Sequence, residues 1–301
     1  MAFAYPSLRG INHRDIAIAT ATTADSINWL KRHGLLNTQK ICISCGGTMS
    51  EIAKKSISDE VIWSCGRPCR KTVSIRKGTF LENSKLKCQQ IIDILYYWAK
   101  EDLAKGIGQE CHLANVAVTD WRNFCRDICA EYYVAQNIKL GGPNRIVEID
   151  ESTFVRRKYN VGHRVKTQWV FGALERDTRR CFLVAVEDRA AGTLLQIIED
   201  RILPGTTIIS DLWRSYNTLN QLGYRHLTVN HSINFVDPVI IATTNHIECL
   251  WKHVKNRNRR ENGTARNLLQ THLIEFMWRY EFKDDIFGKL MEQIRQLYPC
   301  V

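Results

Sequence analysis

The sequence lacks any run of about 18 apolar residues, the length at which a helix can cross a bilayer, so we expect no membrane span. The first 20 residues include Arg9, Arg14 and Asp15 and lack an uninterrupted apolar core, which argues against a secretory signal. Acidic residues are also few, because 31 Asp and Glu stand against 42 Lys and Arg and give a formal net charge of +11. This excess of positive charge favours a polyanionic partner.

The chain also lacks an even number of cysteines. It has 11, and an odd number argues against a disulfide framework. Four of them form two pairs, Cys42 with Cys45 and Cys65 with Cys69, separated by 19 residues. This spacing is typical of a four-cysteine zinc ribbon, and Gly46 permits the tight turn that the first pair needs. We therefore expect the four thiolates to bind a structural Zn²⁺ ion. Buried free cysteines are the alternative.

Three acidic residues follow patterns that predict two strands and a helix. Apolar residues alternate along 145–149 and lead to Asp150, and β-branched residues fill 206–209 and lead to Asp211. Glu248 lies in a stretch whose apolar residues recur at helical spacing. Carboxylates on two strands and a helix are a ligand set suited to Mg²⁺. Two such ions, about 3.5–4 Å apart, can neutralise the charge that develops on both oxygens when a phosphodiester breaks.

Segments 147–152, 210–213, 227–232 and 244–251 together resemble transposases of the Merlin group and their bacterial insertion-sequence relatives. The resemblance covers about residues 40 to 282. These enzymes carry a DDE catalytic domain of RNase H-like fold. The resemblance implies that Asp150, Asp211 and Glu248 are the catalytic triad and hold two Mg²⁺ or Mn²⁺ ions per active site. The 36 residues between Asp211 and Glu248 agree with the spacing of the group.

Asn245 is a rival for the third metal ligand. Some bacterial relatives use asparagine at the third position, and Asn245 lies three residues before Glu248 on the same helical face. We prefer Glu248, because a charged carboxylate suits Mg²⁺ better than a neutral amide.

The order of elements predicts an α/β protein with four regions. Residues 1–40 form an N-terminal helical segment, 41–80 a zinc ribbon, 81–140 a helical DNA-binding region, and 141–301 an RNase H-like DDE transposase domain. In the helical region we expect a break at 106–108 and a helix-turn-helix-like order, although a plain helical bundle has the same pattern. In the last region we expect three strands, a helix, a strand and a helix, by analogy with the RNase H-like core.

Basic residues after Glu248 predict a DNA-binding surface, with a solvated helix face as the alternative. Lys255 follows Glu248 by about two helical turns and so shares its face. It resembles the basic residue that follows the last acid in many transposases. A second basic group lies in a predicted hairpin near residue 160. The expected DNA-binding residues are Lys252, Lys255, Arg257, Arg259, Arg260, Arg156, Arg157 and Lys158.

The resemblance implies a cut-and-paste DNA transposase. Water would attack the phosphodiester at the transposon end, and the freed 3′ hydroxyl would then attack target DNA in the same site. Double-stranded DNA, as terminal inverted repeats and as target, is the expected partner, and a homodimer is the expected assembly. We expect a nuclear protein if the host is eukaryotic and a cytoplasmic one otherwise. The alternatives are a domesticated DNA-binding protein that has lost cleavage, against which the three acids count, and an RNase H-like nuclease without strand transfer.

Overall fold

A computed structural model describes residues 5–155, 167–229 and 243–300. The chain divides into two compact units. The first comprises Met1–Ile128 and Phe282–Val301, and the second comprises Cys129–Glu281. The basic segment with Arg156, Arg157 and Lys158 lies outside the described residues. In the described residues no helix is long and apolar enough to span a bilayer.

The helices, in chain order, are α1 (His13–Ala19), α2 (Thr23–Arg32), α3 (Cys88–Ala99), α4 (Ala104–Glu110), α5 (Asn115–Gln136), α6 (Ala191–Arg201), α7 (Asn245–Arg260), α8 (Leu269–Glu281) and α9 (Ile286–Leu297). The strands are β1 (Ser50–Ala53), β2 (Val61–Ser64), β3 (Thr72–Ser74), β4 (Leu140–Gly141), β5 (Ile146–Val155), β6 (Gln168–Glu175), β7 (Cys181–Val186), β8 (Ile202–Leu203), β9 (Thr207–Ser210) and β10 (Arg225–Thr228).

The first unit combines a small sheet with packed helices. Strands β1, β2 and β3 form an antiparallel sheet in that order, which is compatible with a zinc ribbon. The C-terminal helix α9 belongs to this unit, although the sequence placed it with the catalytic domain. Its apolar stripe explains the difference, because the Phe287 ring packs against Trp29 and against Tyr96 at centroid distances of 6.4 and 5.5 Å.

The expected break at residues 106–108 is wrong, since these residues lie inside helix α4. Ile107 is fully buried, and a Cβ at Gly108 would lie 3.2 Å from the carbonyl oxygen of Leu113. Gly108 therefore permits a close packing contact within the helical region rather than ending a helix.

The second unit is built on a five-stranded sheet in the order β10-β9-β5-β6-β7. Strands β5, β6 and β7 form an antiparallel meander, and β9 and β10 continue the sheet parallel to β5. This is the RNase H-like arrangement, so the predicted fold class is confirmed. The expected element order did not include β10, a four-residue edge strand whose alternation is too short to recognise.

Helices cover both faces of this sheet. Val147 and Ile149 of β5 are fully buried in a core that includes Leu194 and Ile198 of α6. The opposite face of the sheet packs against α7 and α8 through a second core, of which Leu250 is a member. Alternation along β5 therefore turns its even-numbered acids away from α6 and toward α7.

Candidate metal centres and nucleic-acid interface

Asp150 lies on β5, on the face covered by α7. Its Oδ1 accepts a 2.8 Å hydrogen bond from the backbone N–H of Glu151, and its Oδ2 accepts a 3.0 Å bond from Nε1–H of Trp251. The pKa of Asp150 is raised to about 6, chiefly by burial and also by the negative charges of Asp211 and Glu248, which together outweigh the lowering effect of the two hydrogen bonds. The three predicted acids are therefore close enough to interact electrostatically.

The parallel pairing of β5 with β9 places Asp150 and Asp211 at the same edge of the sheet. Glu148 pairs with Ile209, and each aspartate lies two residues further along the chain. The backbone N–H of Trp213 donates a 2.9 Å hydrogen bond to Oδ1 of Asp211, which fixes the turn after β9. Register and turn together explain why two strands separated by more than fifty residues deliver carboxylates to one place.

Glu248 lies on the first turn of α7. Its Oε1 accepts a 3.2 Å hydrogen bond from the hydroxyl of Thr244, and its side chain is exposed. Asn245 is also exposed on this turn. Both candidates for the third ligand are thus on the helix that covers the Asp150 face, and ligand charge remains the reason to prefer Glu248.

The three acids supply only oxygen ligands, which is the donor set that Mg²⁺ prefers. Mg²⁺ keeps several of its waters, so a few carboxylates that face an open cleft are sufficient to hold it.

Trp251 joins α7 to the sheet beside these acids. Its ring lies against β6, where a Cβ on Gly172 would approach ring atom Cζ2 to 2.6 Å. Only glycine leaves room for this contact, and the contact places the indole nitrogen next to Asp150. The sequence showed Trp251 as one apolar residue on a helix, and its role could be recognised only after β6 was placed.

A second cluster that sequence reasoning missed lies beside Asp211. The Arg189 guanidinium is stacked between the rings of Trp169 and Trp213, 4.1 Å from each centroid, and lies 3.6 Å from the buried carboxylate of Glu151. Burial raises the pKa of Glu151 to about 8. The Trp213 and Ser215 side chains donate hydrogen bonds to the Arg189 carbonyl oxygen. Trp213 thus has a packing role.

The four predicted zinc ligands come together in the first unit. The Sγ atoms of Cys42, Cys45, Cys65 and Cys69 all lie within 4.8 Å of one another, with contacts of 3.7 Å between Cys42 and Cys69 and 3.3 Å between Cys45 and Cys65. Tetrahedral Zn²⁺ with bonds of about 2.3 Å needs sulfur atoms about 3.8 Å apart. The donor set and its spacing therefore fit zinc.

Backbone hydrogen bonds shape the first half of this site. Gly46 adopts φ +70° and donates to the carbonyl oxygen of Cys42 at 2.9 Å, which closes the tight turn predicted from the glycine. Backbone hydrogen bonds from Ser44 and Cys45 lower the pKa of Cys42 to about 6, whereas the hydrogen bond with Cys45 raises the pKa of Cys65 to about 12. The four thiols therefore cannot all lose their protons at neutral pH without a cation among them, and Zn²⁺ supplies that charge.

The predicted basic surface lies along α7, which extends without interruption beyond Glu248. Lys252, Arg259 and Arg260 are exposed, and Lys255 is half-buried. The Arg257 guanidinium donates a 2.6 Å hydrogen bond to the buried carboxylate of Glu275, and the Arg257 side chain is only 14% exposed. Arg257 therefore stabilises the α7–α8 contact, and we leave it out of the proposed DNA-binding surface.

Residues 139–281 match the ISXO2-like transposase domain, just under half of the chain. An uncharacterized transposase-like protein of Haemophilus influenzae is 29% identical over 101 residues, which are 34% of this chain and 80% of that protein. Male abnormal protein mab-31 of Caenorhabditis elegans is 20% identical over 311 aligned residues, which are 90% of this chain and 67% of that protein. The family match and the Haemophilus influenzae relative confirm the resemblance to bacterial insertion-sequence transposases.

Solved structures show a weaker likeness. The catalytic core domain of HTLV-2 integrase in complex with magnesium is 13% identical with a TM-score of 0.30, over 46% of this chain and 86% of that chain. The simian T-cell lymphotropic virus intasome in complex with PP2A regulatory subunit B56 gamma is 12% identical with a TM-score of 0.31, over 62% of this chain and 67% of that chain.

Proposed function

Given that residues 139–281 match the ISXO2-like transposase domain, we propose that the protein is a DNA transposase that cleaves transposon ends and joins them to target DNA. The observation that carries this proposal is the arrangement of Asp150, Asp211 and Glu248 on two adjacent parallel strands and the helix that covers them. Burial and the negative charges of the other two acids raise the pKa of Asp150, which supports a shared cation site.

In this proposal the three acids hold two Mg²⁺ or Mn²⁺ ions. Bound ions would neutralise the charge that develops on the attacking and leaving oxygens of the phosphodiester. Asp150 and Asp211 hold them from the sheet, and Glu248 completes the second site from α7. Above its pKa of about 6, Asp150 is ionised and ready to bind. The hydrogen bond from Trp251 keeps its carboxylate in one orientation.

DNA binding is divided between two regions. Lys252, Lys255, Arg259 and Arg260 bind backbone phosphate beside the acids, which supplies affinity without sequence information. The zinc ribbon and the helices α3, α4 and α5 recognise the transposon end, and Zn²⁺ stabilises the ribbon. Terminal inverted repeats and target DNA are the proposed partners, bound by a homodimer. A nuclear or cytoplasmic location, according to the host, stays a prediction.

A DNA-binding protein without cleavage is the second candidate. Mab-31, whose name refers to male abnormality and not to transposition, aligns with 90% of this chain. Under this candidate the basic surface and the ribbon would still bind DNA, and the three acids would not cleave it.

The test uses a donor plasmid that carries the DNA flanking the coding sequence on both sides of a marker, together with a target plasmid. With Mg²⁺ the purified protein should release the marker and join its 3′ ends to the target, and neither product should form with EDTA. Release without joining would favour a nuclease. Specific binding to the flanking DNA without release would favour the second candidate.

A further inference from the structure

Glu148 is a carboxylate of β5 that the proposed metal sites do not use. It is completely buried and lies two residues before Asp150, on the same face of the strand. An ionised carboxylate without water must be compensated by hydrogen bonds and opposite charge. The donors that surround Glu148 therefore indicate what it holds in place.

Four donors converge on this side chain, three from α7 and one from the turn after β6. Oε2 accepts hydrogen bonds from the backbone N–H groups of His246 and Ile247, both at 3.0 Å. Oε1 accepts from Nδ1 of His246 at 2.7 Å and from Nε of Arg176 at 2.6 Å. Because both oxygens are used, the carboxylate has one fixed orientation.

The two backbone donors belong to the first turn of α7, where N–H groups have no partner within the helix. Within the described part of the chain, the N-cap residue Thr244 makes no side-chain capping bond. Its hydroxyl instead donates to Glu248. Glu148, on strand β5, therefore caps α7 in place of the N-cap residue, and its negative charge is also stabilised by the positive end of the helix dipole.

Arg176 completes the connection. Its Nη2 donates a 2.6 Å hydrogen bond to the carbonyl oxygen of Thr243. Its backbone N–H donates a 3.0 Å hydrogen bond to the carbonyl oxygen of Ile146. The chain entering α7 is therefore tied to the strand that carries Asp150 both by Arg176 and by Glu148. Glu248 lies one residue beyond Ile247, the last of the anchored positions.

We propose that Glu148 is a positioning residue that fixes the start of α7 against β5 and so sets the separation of the Asp150 and Glu248 carboxylates. This inference rests on the proposed role of those acids as metal ligands. A displacement of about 1 Å at a catalytic group can lower the rate by about a hundredfold. A carboxylate that capped the helix for stability alone would change folding without changing ion binding.

The experiment compares Glu148→Gln with Glu175→Gln as a matched control. In Glu148→Gln an amide nitrogen replaces one carboxylate oxygen, so a donor faces a donor and at least one anchoring bond is lost. Glu175 is also buried and accepts hydrogen bonds from Gly141 and Thr178, away from α7. Three measurements are made on each full-length protein: hydrogen exchange of peptide 244–250, the Mn²⁺ concentration at half-saturation, and cleavage of the donor end.

For Glu148→Gln we expect at least about tenfold faster exchange in peptide 244–250, at least about tenfold weaker Mn²⁺ binding, and about hundredfold slower cleavage in protein that remains folded. For Glu175→Gln exchange in that peptide and Mn²⁺ affinity should stay at the wild-type level. If Glu148→Gln does not fold, Arg176→Lys, which keeps the charge but not the forked contact, should show smaller changes in the same direction.

If Glu148→Gln leaves hydrogen exchange in peptide 244–250 unchanged, Glu148 does not hold the start of α7. If exchange becomes faster but Mn²⁺ affinity stays at the wild-type level, Glu148 does not position the metal ligands. A wild-type protein that binds Mn²⁺ but never cleaves DNA would overturn the proposed function alone, because exchange and ion affinity still decide the role of Glu148. A wild-type protein that binds no Mn²⁺ at the acids would overturn both.

Discussion

The indole N–H of Trp251 donates a 3.0 Å hydrogen bond to Oδ2 of Asp150, so α7 and β5 are joined directly at a proposed metal ligand. This bond depends on a residue of a third element, because the indole can lie this close only where β6 has no side chain, at Gly172. Packing and metal binding should therefore fail together when this contact is disturbed.

Gly172→Ala should move Trp251 away from Asp150. The new Cβ would lie 2.6 Å from Cζ2 of a buried ring, and we expect the free energy of unfolding to fall by about 1–3 kcal/mol. Cleavage should fall more than about tenfold in protein that is still folded. Gly192→Ala is the control, because nothing lies within 4 Å of its Cβ position. Chemical denaturation and cleavage rates measure both effects, and wild-type values for Gly172→Ala would contradict the close packing.

Asp150→Asn should stabilise the metal-free protein near pH 7.5. Burial raises the native pKa of Asp150 from 3.8 to about 6, so the native state binds this proton more tightly than the unfolded state. The free energy of unfolding therefore falls as the pH rises from about 4 to about 6, and the loss persists above pH 6. Its upper limit is about 3 kcal/mol. The Asn variant should recover only part of this, because its amide nitrogen faces one of the two N–H donors to which the carboxylate is bound.

The measurement is thermal unfolding in EDTA between pH 4 and pH 8, and again with Mg²⁺. The Asn variant should unfold at a higher temperature than the wild type at pH 7.5 in EDTA, and it should not gain stability from Mg²⁺. Glu151, whose pKa is raised to about 8, should keep part of the pH dependence in both proteins. A lower unfolding temperature for Asp150→Asn in EDTA would show that this carboxylate is stabilising without metal.

Local patterns were sufficient to predict the elements that carry the three acids. Alternation identified β5 and β9, and helical spacing identified α7, because each pattern extends over enough residues to be distinctive. The clustering of Asp150 and Asp211 could not be derived from either strand, since it depends on the parallel register between them.

Residues whose role depends on a distant partner were missed. In the sequence Glu148 looks like any acidic residue on a strand. Only the hydrogen bonds that it accepts from the first turn of α7 show that it caps a helix. Arg257 belongs to the most basic stretch, and only the position of Glu275 separates it from its exposed neighbours. Helix α9 follows the catalytic domain in sequence but finds its apolar partners near the N-terminus.

Cys42→Ser should remove zinc and weaken recognition of the transposon end. Structural zinc contributes about 10–16 kcal/mol in finger peptides, so the ribbon should unfold when one ligand is lost. Elemental analysis should find about one zinc per wild-type chain and much less in the variant, and preference for the end over random DNA should fall. Cys300→Ser, outside the cluster, is the control. Wild-type protein prepared without chelator that contains no zinc would contradict the assignment.

Replacing Lys255 and Arg259 with Ala should weaken binding to all DNA sequences. Each lost phosphate contact lowers the slope of log affinity against log salt by roughly one unit. Binding to the end and to random DNA, measured over a range of salt, should fall together. The control removes two charges elsewhere in the second unit: Arg201, on α6, and Arg225, the first residue of β10, which pairs with Thr207 at the start of β9. An equal loss of DNA affinity in the control would mean that the affinity depends on the net charge of the protein and not on contacts from α7 to the DNA backbone.

Single-turnover cleavage of the donor end tests the central claim most directly. In Mg²⁺, Asp150→Asn, Asp211→Asn and Glu248→Gln should each abolish cleavage while binding of the same DNA in EDTA stays within a few fold of wild type. Asn245→Ala should retain cleavage. Full activity of Glu248→Gln together with loss in Asn245→Ala would transfer the third ligand to Asn245, and full activity of either aspartate variant would contradict metal-dependent cleavage by these acids.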